Sequence, residues 1–183
     1  MSDTGGASGA AKRIAVVVGN PKPASRTLGA AVTVADVLAE ATGAPGDHLV
    51  IDLAEHAASL FDWAAPELSR LTAEVATADL AVFASPTYKA SYTGMLKAFL
   101  DRYGSNGLAG LVAVPLMTGG WPGHLLAVEV HLRPVLVELG AVVPARGLYI
   151  TEPEFGDLDA AVGKWVGAGL PHIRAALGVG PTG

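Results

Sequence analysis

The chain has 183 residues, a formal net charge of −5, 51% hydrophobic residues, 16% charged residues and no cysteine. The lack of cysteine excludes disulfides, zinc thiolates and cysteine nucleophiles, and the mild acidity argues against nucleic-acid binding, which needs clustered Lys and Arg. The longest apolar runs fall short of the roughly 18 residues of a membrane-spanning helix, and residues 1–12 lack an apolar signal-peptide region, so we expect a cytoplasmic protein that binds no membrane.

Short apolar runs alternate with longer helical patterns along the chain. In chain order, the predicted elements are a strand at 13–18, a helix at 27–41, a strand at 48–53, a helix at 66–76, a strand at 79–84, a helix at 92–103, a strand at 111–117 interrupted by Pro115, a helix at 123–139, a strand at 141–149 and a helix at 158–177. A continuous apolar run such as RIAVVV suits a parallel strand buried on both faces. This alternation predicts an α/β fold, a doubly wound five-stranded parallel sheet with helices on both faces.

The chain shows no internal repeat and no boundary of a second domain. We therefore predict a single domain at 13–177, preceded by a flexible N-terminal arm at 1–12 and followed by a C-terminal tail at 178–183. In a doubly wound sheet, ligands bind at the carboxyl ends of the strands, near the point where the strand order reverses. The loops after the first, third and fourth strands are therefore the candidate site.

The loop after the first strand reads GNPKPASRT and contains neither the Rossmann nor the Walker glycine pattern. It places two hydroxyls and a guanidinium, those of Ser25, Thr27 and Arg26, at the start of a helix. Free N–H groups and the positive end of the helix dipole at such a position favour a phosphate. The alternative is that Ser25 only caps the helix and Arg26 is a solvated side chain.

The other two loops also suit a ligand. After the third strand, SPTYKASYTG combines a rigid Pro86 with Tyr88 and Tyr92 at a strand-to-helix turn, where a flat ligand could lie; alternatively, one tyrosine packs on the core and the other caps a helix. After the fourth strand, TGGWPGH contains Gly119 and Gly120, which let the backbone approach a ligand closely. The alternative there is an ordinary strand-to-helix turn.

These segments resemble the NAD(P)H-dependent FMN reductases of flavodoxin-like fold, and most closely the reductase components of alkanesulfonate and methanesulfonate monooxygenase systems. The resemblance is carried by GNPKPASRT, by SPTYKASYTGMLKAFLDR, and by LMTGG followed by HLLAVEVHLRPVLVELGA, and it covers roughly residues 12–150. It implies the strand order 2-1-3-4-5 and FMN as cofactor, with NADPH or NADH as hydride donor. It also implies delivery of reduced FMN to a partner flavin-dependent monooxygenase.

The resemblance further implies which residues would contact the flavin. They are Asn20, Ser25, Arg26 and Thr27 at the phosphate, Pro86, Thr87, Tyr88, Lys89 and Ser91 along the isoalloxazine and ribityl chain, and Thr118, Gly119 and Gly120 on the opposite side. Asn20 stands where the family usually has serine. Lys89 would favour an anionic reduced flavin if its ammonium lies near N1 and O2; the alternative is a surface lysine that covers apolar area.

The predicted helix at 123–139 contains Pro134, which cannot donate to the carbonyl of Val130, so a kink or π-bulge is predicted there. Some relatives place an inserted aromatic residue at Val130–His131, together with a π-bulge and a tetramer interface. We hypothesise that His131 lies near the flavin or a subunit interface, rather than being a partly exposed helix histidine. Lys89 and His131 are thus the two catalytic candidates. His124 shares a helix face with His131 but a third ligand is missing, so we predict no metal site.

A close variant of the flavin reductase is a flavoprotein with tightly bound FMN that reduces quinones, azo compounds or another acceptor. A different function class is a non-enzymatic flavodoxin-type electron carrier, which would usually be more acidic. A response-regulator-like switch would need an acidic cluster where this chain has Gly19-Asn20 and Ser85-Pro86.

The low charged fraction, 16% against about 25% in typical chains, predicts surface buried between subunits, in a homodimer or homotetramer.

Overall fold

Five parallel strands form one sheet in the computed structural model, which describes residues 12–180. The strands are β1 (Ile14–Val18), β2 (Leu49–Asp52), β3 (Leu80–Pro86), β4 (Val112–Gly119) and β5 (Leu148–Thr151), and their order in the sheet is β2-β1-β3-β4-β5. The predicted flavodoxin-like sheet is therefore confirmed. The predicted arm lies outside the described residues except for Lys12, and the predicted tail is described only as far as Gly180.

Five α-helices cover the two faces of the sheet. They are α1 (Arg26–Thr42), α2 (Pro66–Ala76), α3 (Gly94–Leu100), α4 (Arg133–Glu138) and α5 (Leu158–Ala176), with shorter 3₁₀ turns at Leu53–His56, Pro122–His124 and Glu152–Asp157. Successive residues of a strand point to opposite faces. In β1, Val16 packs among side chains of α1 and α5, whereas Val17 packs among those of α2 and α3. Both faces are thus apolar, which explains the uninterrupted hydrophobic run.

The fourth strand continues through Pro115, contrary to the predicted interruption. The N–H of Ala113 donates to the carbonyl of Val142 at 2.8 Å, so every second residue of β4, Pro115 included, turns its backbone toward that side. The chain opposite Pro115 is the segment 143–147, which is not a strand. The missing N–H of Pro115 therefore breaks no ladder. The predicted fifth strand was wrong in its first part, because only Val142 forms an isolated bridge before β5 begins at Leu148.

Side chains rather than a strand hold the segment 143–147. Arg133 donates to the carbonyls of Val143 and Ala145 at 2.7 and 2.8 Å, and the N–H of Gly147 donates to a carboxylate oxygen of Glu129 at 2.5 Å. Buried backbone groups need such partners when the sheet does not supply them. Two side chains from a π-helical turn and the start of the helix that follows it, those of Glu129 and Arg133, therefore hold the segment that leads into β5.

The predicted helix at 123–139 is divided into three pieces, so that prediction was wrong as a uniform helix. A π-helical turn, Val128–Leu132, precedes α4, and the N–H of Arg133 donates to the carbonyl of Val128, five residues back. The widened turn accommodates Pro134, which has no N–H to offer the preceding turn. Of the predicted kink or π-bulge, the structure has the π-bulge. The predicted helix at 92–103 is also shorter at both ends. It begins at Gly94, because Thr93 caps the start of α3 by accepting from the N–H of Leu96 at 3.2 Å, and it ends at Leu100.

Candidate functional site

A cavity of about 370 Å³ lies at the carboxyl edge of the sheet, within the size range of small-molecule sites. Ten of the twelve predicted cofactor-binding residues line it: Asn20, Ser25, Arg26, Thr27, Pro86, Thr87, Tyr88, Thr118, Gly119 and Gly120. The other two, Lys89 and Ser91, are not among its lining residues. The three loops singled out in the sequence thus meet around one space.

A hydrogen-bonded network joins two of these loops beneath the cavity. The Asn20 side chain donates to the hydroxyl of Thr27 at 3.2 Å, and that hydroxyl lies 2.9 Å from the hydroxyl of Thr118. All three side chains are buried. The Asn20 carbonyl oxygen also accepts from the N–H of Lys22 at 2.9 Å, which shapes the turn after β1. The end of β1, the start of α1 and the end of β4 are therefore held in one fixed arrangement.

The start of α1 offers an anion-binding surface to the cavity. The Ser25 hydroxyl accepts from the N–H of Leu28 at 3.2 Å, so Ser25 is the N-cap, as the alternative interpretation proposed. Ser25 also lines the cavity, so the same residue caps the helix and contacts the candidate site. The N–H groups of Arg26 and Thr27 belong to the first helical turn, where backbone donors have no carbonyl partner within the helix. With the positive end of the helix dipole, they favour a negatively charged group here.

Asp52 supports this loop and was missed by the sequence argument. One of its oxygens accepts from the N–H of Ala24 at 2.9 Å and the other from the N–H of Ala54 at 3.2 Å. Ala24 has a φ of 49°, in the left-handed region that non-glycine residues rarely adopt. The buried carboxylate at the end of β2 therefore helps to hold an unfavourable conformation directly before the Ser25 cap. The signal in the sequence was an acidic residue ending a strand that neighbours β1.

The loop after β3 forms a tight hairpin. Tyr88 and Ser91 exchange two backbone hydrogen bonds of 2.8 and 3.1 Å, and the two residues between them, Lys89 and Ala90, have φ of 52° and 65°. Two consecutive positive φ values are typical of a type I′ turn. This turn leaves Lys89 exposed at its tip and Tyr88 at the rim of the cavity, 52% exposed.

The two glycines after β4 serve different purposes. A Cβ at Gly119 would clash with the hydroxyl of Tyr149, which accepts a hydrogen bond from Thr87 at 3.2 Å. Gly119 is therefore required by packing within the protein. A Cβ at Gly120 would meet nothing within 4 Å, so only Gly120 faces open space where a ligand can approach the backbone. Tyr149, on β5, was not among the predicted residues.

Arg26 is exposed to solvent, as the alternative interpretation held, but it is also paired with an acidic side chain. Its guanidinium donates to both carboxylate oxygens of Glu152, at 2.5 and 2.9 Å, and its Cζ lies 4.8 Å from the centre of the Phe155 ring. The hydrogen bond from Arg26 lowers the pKa of Glu152 and raises the pKa of Arg26 itself. Both Glu152 and Phe155 follow β5 and line the cavity. The sequence argument missed them because it considered only the loops after the first, third and fourth strands.

The second catalytic candidate, His131, is exposed in the π-helical turn and is not among the residues that line the cavity.

Within residues 12–180, no group of three or more His, Cys, Asp or Glu side chains could hold a metal ion. In the same part of the chain, no helix is long and apolar enough to cross a membrane.

Comparison with known proteins gives concordant matches. The family described as NADPH-dependent FMN reductase matches residues 12–154. The NADH-dependent FMN reductase SfnF of Pseudomonas fluorescens is 36% identical over 158 residues, which cover 80% of this chain and 79% of that protein. FMN reductase (NADPH) of Escherichia coli is 40% identical over 92 residues, and the match spans about half the length of that protein, 48%. The solved apo form of an NADH:FMN oxidoreductase, EMOB, superposes with a TM-score of 0.80 at 29% identity, covering 93% of this chain and 92% of the other.

Proposed function

Because the chain belongs to the NADPH-dependent FMN reductase family, we propose that it is an oxidoreductase that passes a hydride from NADPH or NADH to FMN. The observation that carries the proposal is the cavity at the edge of the parallel sheet. One end of the cavity is the start of α1, which suits a phosphate, and the other end lies between the loops after β3 and β4, which suit a flat ring system.

The residues present fit FMN. We assign its phosphate to the start of α1, where the Asn20 and Thr27 side chains, the Ser25 cap and two free N–H groups converge. The isoalloxazine would lie between the segments 86–88 and 118–120, against the open backbone at Gly120. The hydroxyl network of Thr27 and Thr118 fixes the positions of these groups. Preorganised donors of this kind bind a ligand without an ordering cost.

When bound, FMN supplies the hydride-accepting ring, and the protein contributes binding, orientation and electrostatics. This division of labour explains why no acid–base constellation is needed in the cavity. Lys89 and Ser91 remain proposed flavin contacts: both lie in the turn directly beyond Tyr88, so a ring that extends over the rim would reach them. The role of Lys89 near N1 and O2 likewise remains a prediction.

The destination of the reduced flavin is a second proposal. The resemblance to reductases of sulfonate monooxygenase systems suggests that reduced FMN leaves for a separate flavin-dependent monooxygenase. An open cavity with a half-exposed Tyr88 at its rim supports release. Mixing the reductase with such a monooxygenase and measuring product against FMN turnover tests this assignment.

We also propose a homodimer or homotetramer. The segment between β4 and β5 exposes several large apolar side chains, namely Trp121, Leu125, Leu126, Val130 and Val137, which are 44–63% exposed. Large apolar side chains exposed together in one segment are typical of a protein interface. A monomer by light scattering at micromolar concentration would contradict the assembly.

Flavin titration and nicotinamide oxidation test the main proposal. We expect NADPH or NADH oxidation that depends on added FMN, whereas bound flavin without turnover would indicate an electron carrier, and faster turnover with a quinone would indicate the tightly bound variant. Thr27→Val, which removes the networked hydroxyl, should weaken FMN binding by roughly tenfold. Thr33→Val is the matched control, because its hydroxyl only bonds the carbonyl of Gly29 on the same helix. Equal affinities of the two variants would reject the phosphate assignment.

A further inference from the structure

The ion pair at the mouth of the cavity places a carboxylate where the proposed phosphate site needs a cation. Arg26 is the first residue of α1, and both of its terminal nitrogens are engaged by Glu152, at 2.5 and 2.9 Å. Phe155 lies against the same guanidinium. All three residues line the cavity, together with the Ser25 cap and Thr27. The cation nearest the helix start is therefore already neutralised by the protein.

Glu152 is held in this position by its own backbone. It opens the 3₁₀ turn Glu152–Asp157, whose start is fixed by a capping box: the N–H and hydroxyl of Thr151 donate to Glu154 at 2.7 and 2.6 Å. Pro153 further restricts the turn. The carboxylate thus extends from a rigid backbone, while both side chains of the pair stay more than half exposed, at 64% and 55%. An exposed pair on a rigid base can exchange partners without refolding.

We propose that Glu152 is a built-in counter-ion of Arg26 that is exchanged for the phosphate of FMN when the flavin binds. This inference rests on the proposed function, because it takes FMN as the ligand. A guanidinium presents a planar fork of donors that fits a carboxylate and a phosphate in the same way. Glu152 and the phosphate therefore compete for one set of N–H groups.

The exchange has a consequence for selectivity. Binding of the phosphate breaks the Arg26–Glu152 pair and leaves a carboxylate beside a dianion, and both effects oppose FMN. Riboflavin has no phosphate and leaves the pair intact. Glu152 therefore lowers the affinity for FMN without lowering that for riboflavin, which keeps FMN exchangeable rather than permanently bound.

Equilibrium titration of the flavin-free full-length chain, followed by quenching of flavin fluorescence, tests the exchange. Glu152→Gln should lower the Kd of FMN roughly five- to tenfold and change the Kd of riboflavin by less than about twofold. Glu40→Gln is the control that removes the same charge. Glu40 is exposed near the far end of α1, about 21 Å along the helix from Arg26. It should leave both constants unchanged.

A double-mutant cycle with Arg26→Gln separates exchange from simple repulsion. Without the guanidinium there is nothing to compete for and only the screened repulsion between Glu152 and the phosphate remains, so Glu152→Gln should then tighten FMN by no more than about twofold. An equal gain in both backgrounds would overturn the exchange and leave direct repulsion, and an equal change for FMN and riboflavin would overturn it in favour of a structural role. If the unmodified chain binds and reduces FMN but Glu152→Gln changes nothing, only this inference fails. If the unmodified chain neither binds nor reduces FMN, the proposed function itself fails.

Discussion

Gly119→Ala places a methyl group in the space that the Tyr149 hydroxyl occupies. Apart from that clash, the added Cβ would lie 3.1 Å from Cζ of Tyr149 and 3.3 Å from Cβ of Thr87. Tyr149 is 8% exposed and its hydroxyl is bonded to Thr87, so the ring cannot move without breaking that bond. Overpacking costs about 1–3 kcal/mol and a lost hydrogen bond about 1 kcal/mol. We therefore expect Gly119→Ala to lower the free energy of unfolding by about 2–4 kcal/mol.

Tyr149→Phe identifies the hydroxyl as the cause. Tyr149→Phe alone should lower the free energy of unfolding by about 1 kcal/mol, the value of the hydrogen bond from Thr87. In the Tyr149→Phe background, the new Cβ of Gly119→Ala meets only the two contacts of 3.1 and 3.3 Å, which need shifts of a few tenths of an ångström. The two substitutions together should therefore cost less than the sum of their separate effects, by about 1–2 kcal/mol. Gly120→Ala is the matched control, because its Cβ would meet nothing within 4 Å.

Guanidinium unfolding of the flavin-free protein measures these differences, with an unchanged m-value as the sign that the unfolding reaction is the same. A thermal scan should show the Tm of Gly119→Ala lowered by roughly 4–16 °C, from about 2–4 °C per kcal/mol in a chain of this size. The steric argument is refuted if Gly119→Ala and Gly120→Ala unfold with the same free energy. It is also refuted if Tyr149→Phe fails to relieve Gly119→Ala.

Two further substitutions probe the loop that precedes α1. Asp52→Asn keeps only one carbonyl acceptor for the N–H groups of Ala24 and Ala54, so we expect the free energy of unfolding in denaturant to fall by about 1–2 kcal/mol. The substitution should also weaken the binding of FMN more than the binding of riboflavin. An unchanged FMN Kd would show that Asp52 does not shape the phosphate loop. Gly19→Ala directs a Cβ at the backbone of Leu96, 2.9 Å from its N and Cα, so we expect about 3 kcal/mol of destabilisation, and unfolding within 0.5 kcal/mol of the unmodified chain would contradict the packing of β1 on α3.

The sheet and the edge where the cavity lies could be predicted because their signals are local. A strand buried on both faces must be apolar throughout, as β1 is, and a helix that begins at a proline carries its start in the sequence. The predicted helix at 66–76 agrees residue for residue with α2, because Pro66 suits the first helical position and Leu68, Leu71 and Val75 recur on one face. The parallel sheet then requires the loops after its strands to meet at one edge.

The partners within that edge were decided only by the tertiary structure. Arg26 and Glu152 are 126 residues apart, and Asp52 is 28 residues from Ala24, so no local pattern shows that they meet. The same holds for Gly119, whose packing need arises from Tyr149 on the neighbouring strand.

Pro115 shows the same limit inside the sheet. The sequence indicated a break because proline cannot donate to a ladder, yet whether a donor is needed depends on which chain lies opposite. Here that chain is the segment 143–147, which Arg133 and Glu129 hold from the side of the π-helical turn. The sequence by itself determined most of the elements, their order along the chain and the edge where the cavity lies, because hydrophobic period and turn chemistry are local. Which side chains face one another across that edge depends on strand neighbours and register, and these exist only once the chain has folded.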